Sequence, residues 1–177
     1  SVFYYQLNNG QFTQVTPSTI IPLQEGDTVR FKGNNESSFN TRNNGWRFNV
    51  VGETTVSGHI TALFNISHPN NISEYAFKEL FKGCSGIKDA SGLILPTVTA
   101  EGCFYSMFSG CENMVHAPQV LATTIERESC CAMFFNCEKL EDKLAKNNIN
   151  VDIRTSIGSV IGAHVGPGAF GIVYICK

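Results

Sequence analysis

Three times along the chain an apolar step runs into a cysteine at one fixed spacing. The segments are Leu80-Phe81-Lys82-Gly83-Cys84, Met107-Phe108-Ser109-Gly110-Cys111 and Met133-Phe134-Phe135-Asn136-Cys137. Phe81, Phe108 and Phe134 lie 27 and 26 residues apart, and an apolar residue follows each cysteine three places on: Ile87, Met114 and Leu140. Self-similarity at a fixed period of this size predicts stacked repeats, in which each unit buries its apolar face against its neighbours. Within the first unit Ala76, Phe77, Leu80 and Phe81 are spaced as one face of a helix. Phe104, Met107 and Phe108 repeat that face, as do Cys130, Met133 and Phe134. Leu93–Thr97 and Val120–Thr124 fall between and read as short extended segments. Pro96 suits an edge or end position because it cannot donate to a ladder. Two complete units and a third that stops early require caps at both ends.

Upstream the period changes to two. Tyr5 and Leu7, then Asn8-Asn9-Gly10, then Phe12 predict a β-hairpin, since Asn-Gly is the strongest short hairpin signal. Glu25-Gly26-Asp27 is a turn, and Thr28–Phe31 alternates toward a second pairing. Residues 34–45 form a polar loop. Trp46, Phe48 and Val50 alternate with Arg47 and Asn49 as a half-buried strand, and a further strand or edge is expected between Val56 and Leu63. The predicted fold class is α+β. A β-rich domain over 1–70 precedes a short leucine-rich-repeat α/β solenoid over 71–146. A C-terminal β-hairpin over 147–177 caps it, with apolar strands Ser159–Gly162 and Ala169–Cys176 joined by a Gly-Pro-Gly turn.

Charged residues make up 16% of the 177 positions, low against roughly 25% for soluble domains. The polar bulk is Asn, Ser, Thr and Gly, as is common in secreted surface proteins. Net charge is −2 with no basic run, which argues against nucleic acid as a partner. No apolar stretch approaches the ~18 residues of a membrane span. The chain begins at Ser1 without Met, and an upstream leader or other segment is expected to have been removed. Seven cysteines are an odd number and include no Cys-x-x-Cys pair. Cys84, Cys111 and Cys137 recur in register and are expected to stack as small buried hydrophobes, with Cys103, Cys130 and Cys131 packing likewise. His59, His68, His116 and His164 are scattered, so neither a metal site nor a cofactor is expected. Asn35, Asn65 and Asn71 each open an Asn-x-Ser sequon.

The repeats resemble the BspA-like, or Treponema-type, leucine-rich repeats of bacterial surface proteins. The resemblance rests on Leu95-Pro96-Thr97, on the run from Cys103-Phe104-Tyr105-Ser106-Met107-Phe108-Ser109-Gly110-Cys111 to Met114, and on Ala117-Pro118. Gly26-Asp27-Thr28-Val29-Arg30-Phe31 and Phe48-Asn49-Val50-Val51-Gly52 are similar to the β-rich region that precedes such repeats, so the likeness extends over about residues 1–142. It implies a secreted or surface-anchored protein that binds other macromolecules, and it supplies no catalytic residues. The tail Ile157-Gly158-Ser159-Val160-Ile161-Gly162-Ala163-His164-Val165-Gly166-Pro167-Gly168-Ala169 resembles the end of DegV-like fatty-acid-binding proteins. That likeness implies a lipid-carboxylate contact at His164, with Gly166 and Gly168 beside it. Ser159 stands where that family usually has proline.

Catalytic constellations are missing from the sequence. The glycine-rich run at Gly162–Gly168 lacks the Lys-Ser/Thr of a phosphate loop, and no Gly-x-Ser-x-Gly elbow is present. Cys111 and His116 are five apart, but a buried repeat cysteine is an inert thiol. Glu126, Glu128, Glu138, Glu141 and Asp142 alternate with Arg127, Lys139, Lys143 and Lys146 as a solvated face rather than a glycosidase pair. Tyr4, Tyr5, Trp46 and Tyr105 are aromatics able to stack on a sugar or a partner. The expectation is a non-enzymatic, extracellular or cell-surface binding module for a host or bacterial protein or glycan. A fatty-acid carrier using His164 and a purely structural surface spacer are the alternatives.

Overall fold

The computed structural model describes residues 2–64, 72–122 and 124–140. The expected tail hairpin, with His164, Gly166 and Gly168, lies outside the described residues. At the N-terminus β1 (Phe3–Leu7) lies between β2 (Thr13–Gln14) and β3 (Val29–Gly33) in an antiparallel sheet. The hairpin expected around Asn8–Gly10 joins β1 to β2, in the register Tyr4 with Gln14 and Tyr5 with Thr13. Asn8 takes φ 52°, a left-handed conformation that Asn tolerates. Its side-chain amide donates to Asp27 Oδ1 at 3.0 Å, and its Oδ1 accepts from the Thr28 amide at 3.0 Å. The hairpin is thereby clamped to the turn that leads into β3. The Asn8 bond, then the Gln24 amide bond, hold the Asp27 carboxyl below its usual range. Phe3 points inward and meets Phe39, Trp46 and Phe48 edge-on, at centroid distances of 4.9, 5.0 and 6.1 Å.

The repeats are where expectation and structure part. The molecule is a small β-rich domain of strands and turns, not an α+β fold with a leucine-rich-repeat solenoid. Among the described residues helical geometry is confined to a 3-10 turn at Ile60–Leu63 and the short stretch 138–140. Residues 75–84, 102–111 and 128–137, three segments expected to be helical, are arms built from successive turns. Their backbone explains the error. Left-handed φ recurs at every fourth residue: Tyr75, Glu79 and Gly83, then Gly102, Ser106 and Gly110, then Glu128, Ala132 and Asn136. An α-helix needs negative φ throughout and gives each amide to the carbonyl four residues back. Here one set of amides closes turns three residues back, as Leu80 to Phe77 and Cys84 to Phe81. The other set crosses to the next arm. Tyr75, Phe77, Glu79, Phe81 and Gly83 donate to the carbonyls of Glu101, Cys103, Tyr105, Met107 and Ser109. Gly102, Phe104, Ser106, Phe108 and Gly110 donate to Arg127, Ser129, Cys131, Met133 and Phe135.

This in-register stacking places like side chains over like. Phe48, Phe81, Phe108 and Phe134 form one file of stacked rings, 5.4, 5.2 and 5.8 Å apart. Phe64, Phe77 and Phe104 form a second, at 5.0 and 5.9 Å. Such ring pairs contribute about 0.5–1.5 kcal/mol each beyond burial. The repeat cysteines form a third file. The Cys84, Cys111 and Cys137 thiols donate to the carbonyls of Phe48, Phe81 and Phe108, at 3.0, 3.1 and 3.2 Å. A small residue with a weak donor fits where each arm turns beneath the one before. Phe48 therefore acts as the first rung, although the segment around it forms no ladder strand. Asn40, 2% exposed, completes that rung. Its amide donates to the carbonyls of Trp46 and Lys78 and accepts from the Trp46 amide. One hydrophobic cluster runs from Phe3 to Leu140.

Candidate functional site

Extended segments lie before the first arm and between successive arms. β4 (Thr54–His59) and β5 (Ile87–Ile94) pair in parallel. Isolated bridges carry the pattern one segment further, joining Asp89 to His116 and Ile94 to Gln119. The Val115 amide donates to the Lys88 carbonyl and the Ala90 amide to the His116 carbonyl, both at 2.8 Å. Two ranks of residues result: Thr55, Asp89 and His116 in one, and His59, Ile94 and Gln119 in the other. Along β5 the inner positions Ile87, Ala90 and Leu93 are buried in the core, while Lys88, Ser91, Gly92 and Ile94 are exposed. The face is thus displayed by a backbone whose other side is packed, an arrangement that holds side chains in place for recognition.

At one end of this face lies an open cleft of about 370 Å³ lined by Glu53, Thr54, Thr55, Lys88, Asp89, Val115 and His116. Glu53 forms an ion pair with Lys88. That pairing, by hydrogen bond and by charge, holds the Glu53 carboxyl below its usual range. Asp89 Oδ1 accepts from the Ser91 amide at 2.8 Å and the Ser91 hydroxyl at 2.7 Å, which orients the carboxylate. The other end carries His59, Ile94 and Gln119, with Ile94 43% exposed. Hydroxyls, two carboxylates, an ammonium and an imidazole around an open cleft can exchange hydrogen bonds with a polar ligand. Among the described residues no group of three His, Cys, Asp or Glu is placed to hold a metal ion.

The residues singled out from the sequence fare differently. His116 lines the cleft, whereas Cys111 is fully buried with its thiol on the Phe81 carbonyl, so the two form no nucleophile pair. Burial pushes the Cys84 and Cys111 thiols up from their ordinary value, and takes Cys103 to about 11 and Cys130 to about 12. Trp46 packs on Phe3 and is part of the core surround. Tyr105 is half-buried with the Lys78 ammonium over its ring at 5.9 Å. The Asn35 sequon is structural in use. Its Nδ2 donates to the carbonyls of Leu63 and Val2, at 2.7 and 3.2 Å, and its Oδ1 accepts from the Val2 amide. A glycan would have to be attached to that same nitrogen. Asn65 and Asn71 lie outside the described residues. The rank Thr55–Asp89–His116 was missed in the sequence, because parallel pairing of 54–59 with 87–94 joins residues with no local signal between them.

In comparisons with known proteins, no family model, no curated sequence and no solved structure matches the chain. No helix among the described residues is long and apolar enough to cross a membrane.

Proposed function

We propose that the protein is a non-enzymatic binding module of the secreted or cell-surface kind, and that it recognises a protein or glycan of a host or of bacteria through the outward face of its parallel segments. The observation that carries this reading is the Thr55–Asp89–His116 rank, set beside Glu53 and Lys88 in an open cleft over a packed core. A polar ligand entering the cleft replaces water on groups whose backbone is already fixed, so little ordering free energy is lost on binding. Ile94, in the second rank, adds apolar area to the contact. The resemblance of the repeats to BspA-like surface proteins supports the same class and the same location. The inert repeat thiols fit a scaffold role better than a catalytic one.

Labelled full-length protein applied to immobilised glycans and extracellular-matrix proteins tests this. The expected result is saturable binding that falls at least roughly tenfold in a Lys88→Ala/His116→Ala variant of unchanged melting temperature, which corresponds to two lost polar contacts. A turnover abolished by one side-chain change would contradict the reading.

A further inference from the structure

The face formed by the arms differs from the strand face and carries its own chemistry. We propose that it is a binding surface for an acidic polysaccharide, gripped by Arg42, Arg47, Lys78 and Lys82 around the first arm. These cations fall into two pairs, Arg42 with Lys78 and Arg47 with Lys82. The Arg42 guanidinium lies 5.1 Å over the Tyr75 ring, and Lys78 Nζ donates to the Arg42 carbonyl at 2.7 Å while sitting over Tyr105 in the next arm. Arg47 and Lys82 hold the Glu79 carboxylate between them, at 2.5 and 2.7 Å.

Three acidic groups face the cluster, and each is engaged. Glu128, whose charge reaches the Tyr75 hydroxyl, pairs with Arg127 at 3.5 Å. Glu79 is shared by Arg47 and Lys82, and Glu101 accepts from the Tyr75 hydroxyl at 3.2 Å. With Arg127 counted, five cations therefore stand against three carboxylates, in a chain whose overall charge is −2. Among the described residues Arg42 and Lys78 form no ion pair with a carboxylate. A fixed local excess of positive charge on a negative protein selects for a polyanion.

The aromatic partners favour a sugar over an acidic peptide. Tyr105 presents a partly exposed ring beside the Lys78 ammonium, so one ligand unit meets a stacking surface and a charge together. The guanidinium groups of Arg42 and Arg47 suit the two-oxygen geometry of sulfate or carboxylate substituents. The in-register stacking of the arms sets Tyr105 of the second arm beside Lys78 of the first, which extends the surface from one arm to the next.

Heparin serves as the probe, with the full chain and binding measured by calorimetry across a salt series. The expected result is binding that weakens as salt rises, with a dissociation constant roughly tenfold higher in Arg42→Gln/Lys78→Gln. Lys139→Gln, an exposed cation outside the cluster, should leave affinity unchanged, and unchanged melting would show that each variant folds. Absence of heparin binding at low salt overturns the proposal, as does equal loss in Lys139→Gln. Displacement of heparin by polyglutamate or by an oligonucleotide at equal charge concentration also overturns it, because the surface then reads charge alone. Since the Lys88→Ala/His116→Ala variant leaves this face intact, failure here and failure of the strand-face reading are separable.

Discussion

At the scale of single residues the arms depend on conformations that most side chains resist. Left-handed φ costs an ordinary residue roughly 1–2 kcal/mol, and glycine almost nothing. Each arm ends on such a position, filled by Gly83, Gly110 and Asn136. Gly83→Ala should therefore destabilise by about 1 kcal/mol through conformation alone, since a Cβ there meets nothing within 4 Å. Asn136→Gly should stabilise by up to about 1 kcal/mol, and denaturant melts of the two variants would check both signs. Gly102→Ala should cost more than Gly83→Ala, because its Cβ would stand 2.3 Å from the Tyr75 ring. The buried thiols make a second prediction. Cys103 and Cys130 have folded values of about 11 and 12 against an ordinary 9.0, so the fold favours the neutral thiol. Their contribution is complete below pH 9 and is lost as pH rises from 9 through those folded values, because the unfolded chain releases protons first. Melting temperature should fall above pH 9. Maleimide labelling at neutral pH should spare Cys84, Cys103, Cys111, Cys130 and Cys137 until denaturant is added.

At the scale of elements, the sequence disclosed the N-terminal strands well and the arms only in part. The Asn8-Asn9-Gly10 turn and the alternation around Val29 are local signals, and β1, β2 and β3 follow from them. The arms were legible as repeats, in register and with the right apolar positions, but not as turns. Apolar residues at i, i+1, i+4 and i+5 fit both a helix of period 3.6 and a turn repeat of period four. Gly83, Gly110 and Asn136 announce the end of each arm. Tyr75, Glu79, Ser106, Glu128 and Ala132 take the same left-handed φ with no such propensity, and only bonds to a neighbouring arm impose it. Asn40 is a similar case, since an Asn-rich loop conceals which amide is buried. The aromatic files offer the test at this scale. Phe108 stacks on both Phe81 and Phe134, so Phe108→Ala should cost about 3–5 kcal/mol, measurable by denaturant unfolding. Phe135→Ala, on the next arm but 60% exposed, should cost little.

At the scale of the whole molecule, the N-terminal sheet and the arms share one core. Phe3 touches Phe48, Phe48 stacks on Phe81, and the file continues to Phe134. Trp46, the single tryptophan, should therefore report the same unfolding transition as amide exchange in the arms, and separate transitions would mean independent units. The two exposed faces proposed for ligands both depend on this stack, because crossed backbone bonds hold their side chains in rank. The most direct test is a nuclear Overhauser experiment on the isotope-labelled full chain. The stacked-arm structure predicts contacts from the Phe81 amide to the α-proton region of Met107 and from the Phe108 amide to that of Met133, with Glu79, Ser106 and Ala132 showing left-handed φ. An unbroken run of helical contacts between residues three and four apart through 76–83 and 103–110, with no contacts between arms, would contradict it.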